Sequence, residues 1–339
     1  MEYFVSFCIP EYNNSDAAYQ LVTQLLENPD RRFQVVISDN ASVDDTVERL
    51  KTIGDSRLKI CRNPVNLGAK PNWCNALEQG DGEWLYLVMG RDKLDACKIG
   101  RLIDMLSLCG KKNIGCAVDR QTPGGIRFMN LYESVEYLLR FGEHPTGAIF
   151  LREAFLDTKG RKKYFRLAFT YPEVYIKRDI LAMGYDGAII SANVYTGEVN
   201  IDKTKVKSQY EENKEILYWY PQRQTEQFIH IIRMIEYDNK FSFNRKQYDS
   251  LYLANWKQLT SRVSLGWKNH NEDPVWTAHY NRICREISTS EMLRNIISAY
   301  KAVMCFCRKE KWEMRFKRRM LMLYETCSML IRIGLRKYP

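Results

Sequence analysis

With 339 residues, 45% of them apolar and 27% charged, the chain is long enough for about two domains that each bury a core, and 18 glycines and 10 prolines are too few for a low-complexity or collagen-like polymer. The net charge of +10 is concentrated, because residues 301–339 hold eleven Lys or Arg against three Glu; a nearly neutral body with a basic end argues against a nucleic-acid binder, whose charge runs through the domain. Ten cysteines without a facing Cys or His pair exclude a structural zinc site and a disulfide scaffold, and read as reduced, buried thiols of a cytosolic protein.

The opening MEYFVSFCIPEYNN has no basic leader and turns polar after ten residues, so it reads as a first strand at 3–9 and not as a secretory signal or a membrane span. Apolar runs and helical patterns then alternate: helix 17–26, strand 33–38, helix 45–53, strand 58–62, helix 71–78, strand 84–89. Such alternation predicts a parallel sheet with crossover helices, and ligands of these sheets bind beyond the carboxyl ends of the strands. The segments to search for chemistry are therefore 10–14, 39–45, 63–70 and 90–93. From 95 to 200 the pattern is less regular, with helices at 96–108, 131–141 and 171–183 and strands at 147–151 and 188–195. Beyond 200 long amphipathic stretches at 211–235 and 248–265 predict a helical appendix.

Four of these segments, in order, resemble the nucleotide-binding half of inverting family 2 glycosyltransferases, of the GT-A fold: FVSFCIPEYN at 4–13, VVISDNASVDDT at 35–46, NLGAKPNW at 66–73 and GEWLYLVMGRD at 82–92. Beyond 95 only HPTG at 144–147 and YPE at 171–173 are similar, to the family's acceptor-side loop and its acidic helix start. The resemblance implies a Rossmann-like, mostly parallel sheet with helices on both faces: a nucleotide-sugar-binding half at 1–95, an acceptor-binding half at 96–200, and a helical region at 201–339 with a basic amphipathic tail from about 305.

It also implies roles. Asp39 is the carboxylate that accepts an N–H from a uracil-like base, since a carboxylate only accepts; the residues themselves equally allow an Asx turn at Asp39 or Asn40, with Asp44 capping the next helix. Pro10 and Tyr12 lie beside the base or ribose, Gly68 lets the loop pass close to the nucleotide, and Asn72 contacts it, while Trp73 is core. Two positions depart from the family. Glu11 replaces a small hydroxyl residue, and Gly90-Arg-Asp-Lys93 replaces the run of aspartates, the DxD signature, that binds ribose and a divalent cation. Three readings stay open: Asp92 holds Mg2+ or Mn2+ alone, Arg91 or Lys93 neutralises the diphosphate without a metal, or the module is inactive and serves as a scaffold. Glu173 is the candidate base for the acceptor hydroxyl, with Asp179 and Asp186 in reserve; Thr170-Tyr-Pro-Glu173 also fits a capping box with Thr170 as N-cap. His144, Thr146 and Gly147 form the acceptor loop.

In the tail, Trp312, Phe316, Met320, Leu323, Cys327, Leu330 and Ile331 recur at three- and four-residue spacing between basic flanks. That pattern predicts an interfacial helix lying on an anionic membrane, without spanning it. The combined expectation is a cytoplasmic enzyme, peripheral on the inner face of the membrane. It moves a sugar from a UDP-linked donor to a lipid-linked glycan and has no nucleic-acid partner.

Overall fold

The computed structural model describes residues 3–120, 123–140, 144–168, 171–198, 221–268, 297, 300, 301, 304 and 314–335, which divide into two compact units, 1–135 with 143–201 and 136–142 with 202–339. In the first unit the strands β1 (Val5–Glu11), β2 (Phe33–Asp39), β3 (Leu58–Arg62) and β4 (Trp84–Leu87) alternate with helices α1 (Ser15–Leu26), α2 (Thr46–Lys51) and α3 (Ala69–Glu78). After the short strand β5 (Asp92–Leu94) come α4 (Ile99–Gly110), β6 (Ile114–Asp119), β7 (Ile126–Met129), α5 (Leu131–Arg140), β8 (Ala148–Leu151), α6 (Arg152–Asp157), α7 (Arg161–Leu167), α8 (Pro172–Ala182), β9 (Asp186–Ile190) and β10 (Tyr195–Glu198).

Eight strands form one sheet in the order β3-β2-β1-β4-β8-β6-β9-β7. β1, β2, β3 and β4 run parallel, and β8 enters antiparallel between β4 and β6. β2 and β4 are buried at every position, which is why FQVVISD and WLYL read as continuous runs and not as alternation: helices cover both faces. Phe7, Phe33 and Tyr86 meet across the centre, with Leu21, Leu25, Leu102 and Leu106 supplied by the helices.

Three expectations need correcting. The strand expected at 188–195 is two strands, because Asp119 accepts the backbone N–H groups of Asn193 (2.8 Å) and Val194 (2.8 Å) and ends the β9 ladder there. The chain then returns as β10 to pair antiparallel with β5, Leu94 opposite Tyr195. Helix α8 starts at Pro172 with Tyr171, and not Thr170, at the N-cap position, in a left-handed conformation (φ 53°); Thr170, which the expected capping box requires, lies outside the described residues. A proline is best placed at the first helical position, where no N–H is needed. Of the expected buried thiols, Cys8, Cys74, Cys109 and Cys116 are buried, whereas Cys97 and Cys327 are exposed.

In the second unit, α9 (Pro221–Tyr237), α10 (Arg245–Lys268) and α11 (Phe316–Leu335) are described; residues 211–220 of the expected first helix are not. Trp256 of α10 is buried and donates from Nε1 to Thr326 Oγ1 of α11 (2.9 Å), one turn beyond buried Met322. The rest of the expected apolar stripe faces solvent: Phe316, Met320, Leu323, Cys327 and Ile331 are exposed, while Trp312 and the side chain of Leu330 lie outside the described residues. Among the described residues no helix is long and apolar enough to cross a membrane.

Candidate active site

The sheet register aligns three strand ends, with Glu11 opposite Asp39 and Asp39 opposite Arg62. Asp39 is fully buried; its carboxylate accepts from Ser42 N (3.2 Å) and faces Arg62 Nε at 3.4 Å. Asp39 thus shapes an Asx-type turn and also keeps acceptor capacity, since two oxygens offer about four lone-pair sites. Asp44 is not the cap of α2, whose N-cap is Asp45 without a side-chain cap bond; it lies one residue earlier and accepts Thr46 N (3.2 Å). Tyr12, 38% exposed, stands at this edge with its ring accessible, and Pro10 lies opposite Ser38.

Gly68 is the N-cap of α3 at φ 85°, and its N–H donates to Asn66 Oδ1 (2.9 Å). Asn40 secures the same loop, donating to Asn66 Oδ1 (2.8 Å) and accepting Leu67 N (2.9 Å). Asn72 departs from the expected nucleotide contact. Its Oδ1 accepts from Ser38 Oγ (2.7 Å) and Asn63 Nδ2 (2.8 Å), and its Nδ2 donates to Ser38 O (2.8 Å) and Glu11 O (3.3 Å). All four of its hydrogen-bonding positions are filled by protein, so Asn72 braces the pocket wall.

Asp92 is buried between exposed Arg91 and Lys93. Its Oδ2 accepts from Thr146 Oγ1 and lies 3.6 Å from His144 Nδ1. Thr146 Oγ1 in turn accepts Met89 N (2.8 Å), and His144 stacks on Tyr195 at 5.1 Å between ring centroids. Gly147 closes the loop at φ 97°, where an added Cβ would meet Asp119 O at 2.8 Å. The loop expected to touch the acceptor is therefore built onto the carboxylate expected at the diphosphate, and the Thr146 hydroxyl is committed to holding it. No group of three or more His, Cys, Asp or Glu with metal-holding geometry occurs among the described residues. A Mg2+ arriving on a diphosphate is compatible with this, because such ions take one or two carboxylates and draw their remaining ligands from phosphate and water.

Glu173 lies in the first turn of α8 and is fully buried. Lys70 of α3 donates from Nζ to Ala168 O (2.6 Å); burial lowers the Lys70 pKa and the charge of Glu173 raises it, which puts a cation near the candidate base. The reserves serve elsewhere. Asp179 is tied to Tyr164 (2.9 Å) and Arg178 (2.8 Å), and Asp186 begins β9, at the end of a strand opposite to the one that binds ligands.

Sequence reasoning passed over two residues and noted a third only as a departure from the family. Arg62 pairs with Asp39, a contact that only the β2–β3 register creates. Asp119 holds the β9–β10 junction and accepts from Tyr86 Oη (3.1 Å). Glu11 is the third: it is 3% exposed, its Oε1 has no hydrogen-bond partner, and burial pushes its pKa up to about 8 against the lowering by Asn14. Its carboxyl fills the space where a side chain at Gly90 would go, with Oε1 1.5 Å from an ideal Cβ there. The pairing of Glu at 11 with Gly at 90 was the available signal, legible once β1 and β4 are neighbours.

Residues 6–156 match the family model described as Glycosyl transferase family 2. Abequosyltransferase RfbV of Salmonella typhimurium is 29% identical over 125 residues, 33% of this chain and 37% of that protein. The UDP-Glc:alpha-D-GlcNAc-diphosphoundecaprenol beta-1,3-glucosyltransferase WfaP of Escherichia coli is 28% identical over 102 residues, 30% of this chain and 41% of that protein. The aligned stretch thus spans well under half the length of either relative. Among solved structures, S. aureus TarS 1–349 in complex with UDP-GlcNAc superposes with a TM-score of 0.63 at 14% identity, covering 98% of this chain and 92% of that one. The mannosyltransferase PcManGT from Pyrobaculum calidifontis, in complex with GDP-Man and Mn2+, gives 0.51 at 15% identity, covering 98% and 86%. At these identities the structural likeness is one of fold. Over residues 6–156 the chain matches glycosyl transferase family 2, and its strands and helices have the GT-A fold.

Proposed function

We propose that the protein is an inverting glycosyltransferase. It moves a hexosyl-type sugar from a UDP-linked donor to a hydroxyl of a growing glycan on a lipid-linked diphosphate, at the cytoplasmic face of the membrane. The observation that carries this reading is that two buried carboxylates, Asp39 and Asp92, lie at or beyond the carboxyl ends of parallel strands of one sheet, the second held by the 144–147 loop. TarS was solved with UDP-GlcNAc, and the name of WfaP gives a UDP-linked donor and a diphosphoundecaprenol acceptor, which supports the same assignment. In this reading residues 1–95 bind the nucleotide sugar and 96–200 the acceptor.

Asp39 accepts the base N–H, Tyr12 covers the base, and Pro10 and Gly68 shape the walls. Asp92 is the residue that would hold Mg2+ or Mn2+, and such an ion would supply charge neutralisation of the leaving diphosphate. Exposed Arg91 and Lys93 supply the same electrostatics directly. Glu173 takes the proton of the acceptor hydroxyl as the anomeric carbon is attacked from the opposite face.

Calorimetric titration of UDP, with GDP and dTDP as controls, in Mg2+ or Mn2+ and again in EDTA, tests this together with Asp39→Ala. UDP is expected to bind in preference to the controls, and Asp39→Ala to weaken it by about 10- to 100-fold, the range for losing a hydrogen bond to a charged group. Binding lost in EDTA assigns the diphosphate to a cation on Asp92; binding indifferent to EDTA assigns it to Arg91 and Lys93. No nucleotide binding in either condition, with no donor hydrolysis, would leave the domain a non-catalytic scaffold.

A further inference from the structure

We propose that a basic cavity where α11 begins is a binding site for the phosphodiester headgroup of an anionic membrane lipid. The cavity, about 370 Å³, is lined by Lys246, Arg315, Lys317, Arg318 and Leu321. Lys246 comes from the first turn of α10, and the three others come from the start of α11 and the residue before it. Gathering four cations is unfavourable without an anion between them. Among the described residues none of the four joins an ion pair, and the buried carboxylate nearby, Asp249, is engaged with the backbone N–H of Arg315 (3.2 Å). Among the described residues, one carboxylate against four cations leaves the cavity complementary to a phosphate anion.

The surroundings decide which phosphate. α11 turns Met322 and Thr326 inward and leaves Phe316 (78% exposed), Tyr324 (67%), Met320 and Leu323 in solvent. A free phosphate ion has no use for an apolar face beside its site. A lipid has both parts, a phosphodiester for the cations and acyl chains for the exposed side chains, and a helix of this kind lies in the interface. The inference rests on the peripheral-membrane part of the proposed function and adds to it a headgroup pocket.

The test uses the full chain in sedimentation with vesicles of phosphatidylcholine alone or with phosphatidylglycerol. Lys246→Gln/Arg318→Gln removes two charges from the cavity. Lys111→Gln/Lys112→Gln removes two exposed charges from the first unit, and Met320→Ser/Leu323→Ser removes part of the apolar face. Thermal melts check that each variant folds. The wild type is expected to bind phosphatidylglycerol vesicles at least about tenfold better than phosphatidylcholine ones, since each basic residue near an anionic surface contributes about fivefold. The cavity pair should lose at least about tenfold, the serine pair a comparable factor, and the first-unit pair little. Inorganic phosphate should bind far more weakly than the vesicles. Equal losses in the two lysine-containing pairs would mean general attraction and overturn the pocket. Loss in the serine pair alone would overturn the pocket but keep the membrane reading. A wild type that ignores phosphatidylglycerol, or that binds inorganic phosphate as tightly as vesicles, would overturn the proposal, and UDP binding, measured separately, would still stand.

Discussion

Glu11 and Gly90 form a pair in which each side chain explains the other: the carboxyl occupies volume that any residue but glycine would need, and it does so without a partner for Oε1. The consequence is a pH dependence. In the folded protein Glu11 keeps its proton until about pH 8, because burial disfavours the charged form, whereas the unfolded chain releases it near the ordinary carboxylate value. Between these values the folded state binds more protons than the unfolded one, so stability falls as pH rises through that window. Glu11→Gln, with no charge to bury, is expected to lose this fall: its melting temperature should exceed that of the wild type at pH 8 to 9, with the difference shrinking toward pH 4.5. Parallel melting curves for the two proteins across that range would refute a buried neutral carboxyl. At the same edge, Asp39 forms the Asx-type turn and is also the residue proposed to read the base. The two readings that its sequence context left open are compatible, because one carboxylate has lone pairs for both.

The element that most determines the site is the connection from His144 into β8. It carries Thr146 under Asp92, and it can do so only because Gly147 takes φ 97° with its Cα against Asp119 O. Gly147→Ala is expected to cost about 1–3 kcal/mol, the range for a non-glycine residue held in a sparsely populated conformation, with the backbone contact added. Urea denaturation measures the loss, and UDP titration of the still-folded variant should show weaker binding as Thr146 shifts. A variant as stable as the wild type would mean that the loop has room to relax. The 144–147 loop was legible as a motif, but its service to Asp92 was not. Antiparallel insertion of β8 beside β4 brings together residues 54 positions apart, and no local pattern encodes that pairing. The same holds for Asn72, which is bound on all four positions because α3 lies across the ends of β1 and β2.

On the scale of the whole molecule, the proposed function gives the donor and acceptor roles to different stretches of chain, which should then fail separately. Glu173→Gln is expected to leave UDP affinity within about twofold of the wild type while donor turnover falls by about 10²–10⁴, the usual contribution of a positioned general base. Equal loss of both would make Glu173 a structural residue of the α8 start, which its full burial beside Lys70 also allows. The charge distribution separates in the same way. The basic excess sits in the tail, and the described part of that tail is a helix whose one side packs on α10 and whose other side carries the apolar stripe.

The amino-acid sequence by itself determined the alternating elements of the first ninety residues, the strand ends where Asp39 and Asp92 sit, and the amphipathic tail. These depend on periodicity and on turn chemistry, which are local properties of the chain. Tertiary structure alone decided that Asp39 meets Arg62, that His144 and Thr146 converge on Asp92, that Glu11 fills the space beside Gly90, and that four cations from α10 and α11 share one cavity. Each of these depends on strand order, register or helix packing between distant segments, and burial then fixes which polar groups are satisfied and which are left for a ligand.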